Sequence, residues 1–392
     1  MTTRNRIRVD VAVVGGGIAG LWIAQRLRAG GRTCVLLERS ALGDGQTIRS
    51  QGIVHGGLKY ALNGTFGAAS HSLAGMPSRW RACLEGRGVP NLSGVRVLSQ
   101  RTYLWSPNDG VLGRLGALVA SSVLRGTVKA LAPGQRPHPF DDRRFGGVVY
   151  ELDEFVIDIG SLLERLARGV DVLRADVTPQ HLVRDADGGL RVIRLSDVEV
   201  VATNFVLAAG AGNGDLSAAV GARDVAMQRR PLCQVIVRGD RLPALFGHCL
   251  PTIGNTEPRL TITTHTAANG ERVWYLGGRL ANDGVRRDDA DQIRHAREEL
   301  AACVPWIDVG EARFDTLRID RAEARRADGA RPDDAFAAAA GNVLICWPTK
   351  LALAPDLGDR AMAALTIPAS RIDDAAALPD AAVGIAAAPW DR

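Results

Sequence analysis

The stretch "VDVAVVGGGIAGLWIAQRLRAGGRTCVLLERS", Val9 to Ser40, decides the fold. Its apolar run Val9–Val14 predicts a buried strand, the amphipathic spacing from Ile18 to Arg28 a helix, and Cys34–Leu37 a second buried strand ending at Glu38. Gly15, Gly17 and Gly20 supply the GxGxxG spacing between first strand and helix. The first allows the tight turn, the second lets backbone approach a pyrophosphate, and the third lets helix and strand pack closely. Ile18 and Ala19 open a helix whose free N–H groups and positive dipole end suit a diphosphate. Glu38, followed by Arg39, stands where an acid accepts hydrogen bonds from ribose hydroxyls. Strand, turn, helix, strand and acid in register predict a dinucleotide site.

The rest of the chain sets the frame. With 392 residues, 46% hydrophobic and 23% charged, it is long enough for two or three globular domains. Its six cysteines lie far apart with no CxxC pair, which argues against a zinc site and a disulfide framework; no metal is expected, and the thiols read as reduced and cytoplasmic. No signal-peptide core and no apolar run of membrane-spanning length is read, so a cytoplasmic protein is expected, with peripheral membrane contact left open. The net charge of +5 fits an anionic substrate, a membrane surface or nucleic acid. Because arginine is scattered and no long basic block occurs, nucleic acid is not favoured.

The next segment selects the dinucleotide. "GDGQTIRSQGIVHGGLKYALNG", Gly43 to Gly64, is too rich in glycine and small polar residues to form a buried layer, and such backbone can approach a flat ligand. Here the chain resembles the FAD-dependent oxidoreductase family that includes D-amino-acid oxidase, glycine oxidase and glycerol-3-phosphate dehydrogenase. The nearest wording is that of the glycerol-3-phosphate enzymes, whose signature reads much like "IVHGGLKY" with arginine in place of Lys59. The resemblance implies that Gln46, Thr47, Ser50, Gln51 and Gly52 wrap the pyrophosphate and flavin ring of FAD.

Later segments extend the resemblance. "VDVLRADVTPQHLVRD" resembles the strand whose Val177 contacts the adenine side, and "NFVLAAGAGNGDLSAAVG" the turn that brings Ala209 and Gly210 to the cofactor. "GNVLICWPTKLALAPDLGDRAMAAL" resembles the closing strand, loop and helix, with Thr349, Lys350 and Leu351 at the flavin's pyrimidine end. The implied fold is α/β, a Rossmann-type FAD-binding domain interleaved with a substrate domain on a mostly antiparallel sheet. Residues 1–80, 151–221 and 326–392 are assigned to the first, and 81–150 and 222–325 to the second. In the second, "PRLTITTHTAANGERVWYLGGRLA" reads as a hairpin with Thr261, Thr263 and His265 on one face, and "DDADQIRHAREELAACVPW" as a covering helix.

The polar residues give the chemistry. His55 reads either as a histidine hydrogen-bonded within a structured loop or, by resemblance, as a proton acceptor near the reactive flavin nitrogen. Lys59 and Tyr60 match the family's anion-binding Arg-Tyr pair, the lysine keeping charge but losing the bidentate fork. Arg318 stands where relatives bind a substrate carboxylate or phosphate, although the usual Arg-Pro is absent there and Arg321 is the neighbour most easily confused with it. Lys350 matches the lysine of a Gly-Gly-Lys motif whose glycines are here Pro348 and Thr349, which puts the local backbone path in question. His265 and Tyr275 are sheet candidates on weaker grounds. The expected reaction removes a hydride from a CH–OH carbon of a small anionic substrate, a 2-hydroxy acid or glycerol-3-phosphate-like molecule, with oxygen or a quinone as acceptor. The alternative is oxidation of a CH–NH group in an amino acid or glycine-like amine, including one carried by a modified nucleic acid. A flavin-binding protein without turnover is the third reading.

Overall fold

The computed structural model describes residues 5–56, 73–107, 128–250, 257–366 and 383–392. Gly57, Lys59 and Tyr60 lie outside these. The opening stretch folds as a strand Asn5–Val14, a helix Ile18–Ala29 and a strand Cys34–Glu38. The first two strands run parallel, Val11 opposite Cys34 and Val14 opposite Leu37. Gly20 is dictated by packing, because a Cβ there would stand 1.9 Å from the Gly15 carbonyl oxygen. The helix buries Leu21, Trp22, Ile23, Ala24 and Leu27, and Trp22 meets Trp80 with ring centroids 4.8 Å apart.

Around this unit grows a sheet with a parallel centre. Val172–Arg174, Cys34–Glu38, Asn5–Val14, Val198–Leu207 and Val343–Trp347 lie side by side. Antiparallel strands Leu182–Arg184, Leu190–Arg194 and Phe336–Ala340 extend it. The central strands are apolar on both faces, which fits a sheet covered on both sides. Val177 falls in the connection after Val172–Arg174, outside a strand, and packs half-buried against one of these layers.

A second sheet is mixed and mostly antiparallel. Its strands, in spatial order, are Arg313–Ala324, Met227–Arg238, Arg272–Gly277, Leu260–Thr266, Gly247–Cys249, Thr102–Ser106, Val148–Leu152 and Val128–Ala130. The hairpin read from sequence is present, with Thr263 opposite Tyr275. Helix Asp289–Cys303, capped by the Asp288 side chain, covers one face and buries Ala296, Leu300 and Cys303 against Val235, Trp274 and Leu276. The other face is polar in part. It carries Gln234, Tyr275, Thr261 and His248, and there the Tyr275 hydroxyl donates to Gln234 Oε1 and lies 3.0 Å from the Arg49 carbonyl oxygen.

One difference concerns the segment after Gly43. Ile53–Val54, expected to form no buried layer, makes a short strand against Phe155–Ile157, which also pairs with Val97–Ser99. Two fully apolar residues between glycine-rich flanks suffice for this small sheet, and Gly52 permits the approach at φ 75°, where a Cβ would meet the Ile157 carbonyl oxygen at 2.2 Å. The strand ends directly before His55.

Candidate active site

The glycine turn forms a cradle. Gly15 sits at φ 106° against the Ala208–Ala209 backbone, so strands Asn5–Val14 and Val198–Leu207 deliver their ends to one place. The helix begins at Gly17 with no capping side chain on that residue, while the Thr47 hydroxyl accepts the Ile18 N–H at 3.0 Å. A Cβ on Gly17 would touch only Thr47 Oγ1, at 3.2 Å, among the described atoms. Glu38 is held at the strand end by the N–H groups of Gly16 (2.7 Å) and Ser40 (3.0 Å), leaving acceptor positions on both oxygens, and Arg39 is exposed beside it. The donor-rich helix start, side-chain-free turn and oriented carboxylate fit a dinucleotide.

From Thr47 the chain runs along the second sheet. Gln46 Nε2 lies 3.4 Å from the carbonyl oxygens of Asp320 and Ala322, the Ser50 hydroxyl accepts the Gly52 N–H, and Gln51 donates to the Tyr275 carbonyl at 2.8 Å. At the end of this run His55 Nδ1 lies 3.2 Å from Glu154 Oε2, and Glu154 Oε1 accepts the Gly56 N–H at 2.9 Å. His248 completes the group from the sheet. Its ring lies 5.7 Å from that of His55 with 27° between planes, and its Nδ1 bonds the Thr261 hydroxyl at 2.9 Å. Burial alone would push the Glu154 carboxyl up, but the charges of His55 and His248 and the hydrogen bonds of His55 and Gly56 outweigh it and hold the group below the ordinary glutamate value.

A cationic group lies elsewhere on the same layers. Arg321 and Arg230 stand directly opposite each other on neighbouring strands, and Arg230 pairs with buried Glu323 at 3.2 Å. Burial first, then repulsion from Arg331 and Arg230, lowers the Arg321 pKa, though a guanidinium stays charged. Lys350 is buried, donates to the Asp333 carbonyl at 3.3 Å, and is brought down to about 8 by burial and then by Arg331. Arg331 donates to the Thr349 carbonyl at 3.0 Å, while its Nε is buried without a partner among the described residues. Such an orphaned donor next to desolvated cations fits an anionic ligand.

The family model described as "FAD dependent oxidoreductase" (DAO) matches residues 10–348. The chain belongs to the DAO family. It is therefore an FAD-dependent oxidoreductase. Over 377 residues it is 46% identical to the "Probable FAD-dependent oxidoreductase PA4991" of Pseudomonas aeruginosa, covering 95% of each chain. The crystal structure of that protein superposes with a TM-score of 0.84 at 41% identity, covering 99% of both chains. Over 137 residues, a quarter of the relative's length, it is 36% identical to glycerol-3-phosphate dehydrogenase 1 of Mycobacterium tuberculosis. The fold is shared with L-alpha-glycerophosphate oxidase of Mycoplasma pneumoniae with FAD bound (TM-score 0.67, 16% identity, 98% and 99% covered). It is equally shared with glycine oxidase of Geobacillus kaustophilus (0.64, 16%, 91% and 94%). Among the described residues no helix is long and apolar enough to cross a membrane.

Within this DAO-family fold the expected site residues separate. Gly15, Gly17, Ile18, Ala19, Gly20, Glu38, Thr47, Ala209 and Gly210 come together at the glycine turn, with Leu351 opening the turn Leu351–Leu353 after Lys350. Arg318 goes elsewhere. Strand alternation turns it to the helix-covered face, where it donates to the carbonyls of Val285 (3.4 Å) and Arg287 (2.6 Å) and pairs with Asp289 at 3.2 Å. Three residues on, Arg321 faces the opposite way. His265 packs against Trp390 at 4.2 Å and bonds Thr263, and burial pushes its pKa down to about 4. Glu154, His248 and Arg331 join these groups in the structure without having been singled out from sequence. For Arg331 a signal existed, since the Arg-Pro pair absent at Arg318 occurs at Arg331–Pro332.

Proposed function

We propose that this enzyme oxidises a CH–OH carbon of a small anionic substrate, a 2-hydroxy acid or a glycerol-3-phosphate-like molecule. The observation that carries the reading is His55 with Nδ1 engaged by a buried carboxylate, next to the segment that meets the substrate sheet. An alcohol must lose its hydroxyl proton as hydride leaves the carbon, and a neutral imidazole is suited to take it. An amine sheds its proton to solvent beforehand and needs no such base. FAD, when bound, supplies the hydride acceptor, held by the turn Gly15–Gly20, Glu38 and Thr47 and by Gln46, Ser50, Gln51 and Gly52. Arg321, Arg331 and Lys350 hold the substrate anion, with Lys59 and Tyr60 assigned to the same task on sequence grounds.

The test is anaerobic bleaching of the holoenzyme flavin by a substrate panel. sn-Glycerol 3-phosphate, glycolate and the lactates are set against glycine, sarcosine and D-alanine. Reduction by a hydroxy compound is the expected outcome. Reduction by amines alone overturns the reading in favour of CH–NH oxidation.

A further inference from the structure

We propose that Glu154 is the positioning residue of this site: its carboxylate holds His55 with Nδ1 protonated, which leaves Nε2 as the nitrogen that takes the substrate proton. The inference rests on the reading of His55 as base, but its geometry stands separately. Glu154 occupies the tight link between strands Val148–Leu152 and Phe155–Ile157, and its side chain is 5% exposed. An ionised carboxylate has only acceptors. With Oε1 fixed by the Gly56 N–H and Oε2 facing His55 Nδ1, the proton of that hydrogen bond belongs to the imidazole. Gly56 follows His55 directly, so one carboxylate clamps both the ring and the backbone that carries it.

The step assigned to His55 is a proton transfer alone. The substrate O–H bond breaks, an Nε2–H bond forms, and Nδ1 keeps its proton, so the ring becomes an imidazolium beside a carboxylate. That ion pair is neutral overall in a site where an unpaired charge is costly. His248 belongs to the same balance. Among the described residues Glu154, from the strand link, and His248, from the sheet, are the carboxylate and imidazole grouped with His55. The Thr261 hydroxyl engages His248 Nδ1 at 2.9 Å.

The three side chains also have the composition of a metal site, their ligand atoms lying within 4.8 Å of one another. Their hydrogen bonds already engage both Glu154 oxygens and Nδ1 of each imidazole, which favours a proton network over an ion.

Imidazole ¹⁵N–¹H correlation spectra of the holoenzyme read the tautomer without turnover. Wild type is expected to show His55 protonated at Nδ1. Glu154→Gln keeps an oxygen for Gly56 but presents an NH₂ to Nδ1, so the proton moves to Nε2. Anaerobic flavin reduction by sn-glycerol 3-phosphate or lactate should then slow by roughly 10²–10⁴-fold. FAD content and KM should stay within about threefold, while Glu154→Asp recovers rate and the wild-type tautomer in part. An Nε2-protonated His55 in wild type, an unchanged rate in Glu154→Gln, or a stoichiometric divalent metal in the purified protein overturns the proposal. Should Glu154→Gln fail to fold, the wild-type spectrum and Glu154→Asp still decide. If neither hydroxy compound reduces the wild type, the substrate reading has failed, and the tautomer alone decides Glu154.

Discussion

Replacing Arg321 and Arg318 separately by alanine gives the sharpest contrast the structure offers. Both arginines lie on strand Arg313–Ala324, three residues apart, and sequence resemblance alone favours Arg318 as the anion ligand. Register places the two side chains on opposite faces of the sheet. Arg321 stands on the face of Leu317, Ile319 and Glu323, opposite Arg230, whereas Arg318 braces the Val285–Asp289 turn and the start of helix Asp289–Cys303. A charge-assisted hydrogen bond from a desolvated guanidinium to an anion contributes about 1.5–3 kcal/mol. Arg321→Ala should therefore lower kcat/KM for the true substrate by about 10- to 150-fold, with FAD content unchanged. Arg318 is 48% exposed, so its ion pair with Asp289 is screened and contributes about 0–1 kcal/mol to stability. Arg318→Ala should leave kcat/KM within about threefold and lower Tm by a few degrees at most. Anaerobic stopped-flow reduction and thermal unfolding of both variants provide the comparison. A larger kinetic loss in Arg318→Ala than in Arg321→Ala would refute the argument from strand parity.

Gly17→Val should abolish FAD retention, because its branched side chain fills the open space above the helix start; cofactor released by denaturation and counted by absorbance is the check. Lys350 loses its proton as pH rises through about 8, so its attraction for an anion is present below that value and lost above it. KM for the anionic substrate should rise by at most about tenfold per pH unit above 8, and a flat profile in Lys350→Met would assign the effect. His265 titrates at about 4 when folded, against an ordinary 6.5, so the unfolded chain binds more protons between those values. Its contribution is complete above pH 6.5 and is lost as pH falls towards 4, by about 3 kcal/mol at most; a Tm–pH profile flattened in His265→Phe is expected.

The glycine turn was legible in sequence because its constraint is steric and local. A Cβ at Gly20 collides with a backbone atom five residues earlier, and no distant partner is needed to infer that. The two-sheet architecture was legible chiefly through the family resemblance of the segments around Val177, Ala209 and Lys350, while the hairpin of the second sheet was read from its own alternation and turn. The opposite facing of Arg318 and Arg321 was not, because it depends on how their strand is paired. Side-chain parity is set by pairing with Met227–Arg238, a strand some ninety residues earlier. Glu154 was invisible for the same kind of reason. It lies 99 residues from His55, and only the small sheet pairing Ile53–Val54 with Phe155–Ile157 brings the two together.

Thr349 shows how a lost motif can persist as a conformation. Where the resemblance read from sequence calls for Gly-Gly before the lysine, the chain has Pro348-Thr349, and Thr349 adopts φ 60°, the left-handed region a glycine would enter freely. For a β-branched residue that conformation costs about 1–2 kcal/mol. The surroundings enforce it: the Thr349 hydroxyl lies within hydrogen-bond reach of two carbonyls, of Asp334 (3.0 Å) and Pro348 (2.7 Å), to one of which it donates, and Arg331 holds the Thr349 carbonyl at 3.0 Å. The same turn therefore ties Arg331 to the backbone immediately before Lys350. Two cations that repel each other are fixed side by side by a strained residue between them, and an anion bound there would relieve that repulsion. The Pro348-Thr349 turn thus couples the backbone immediately before Lys350 to Arg331.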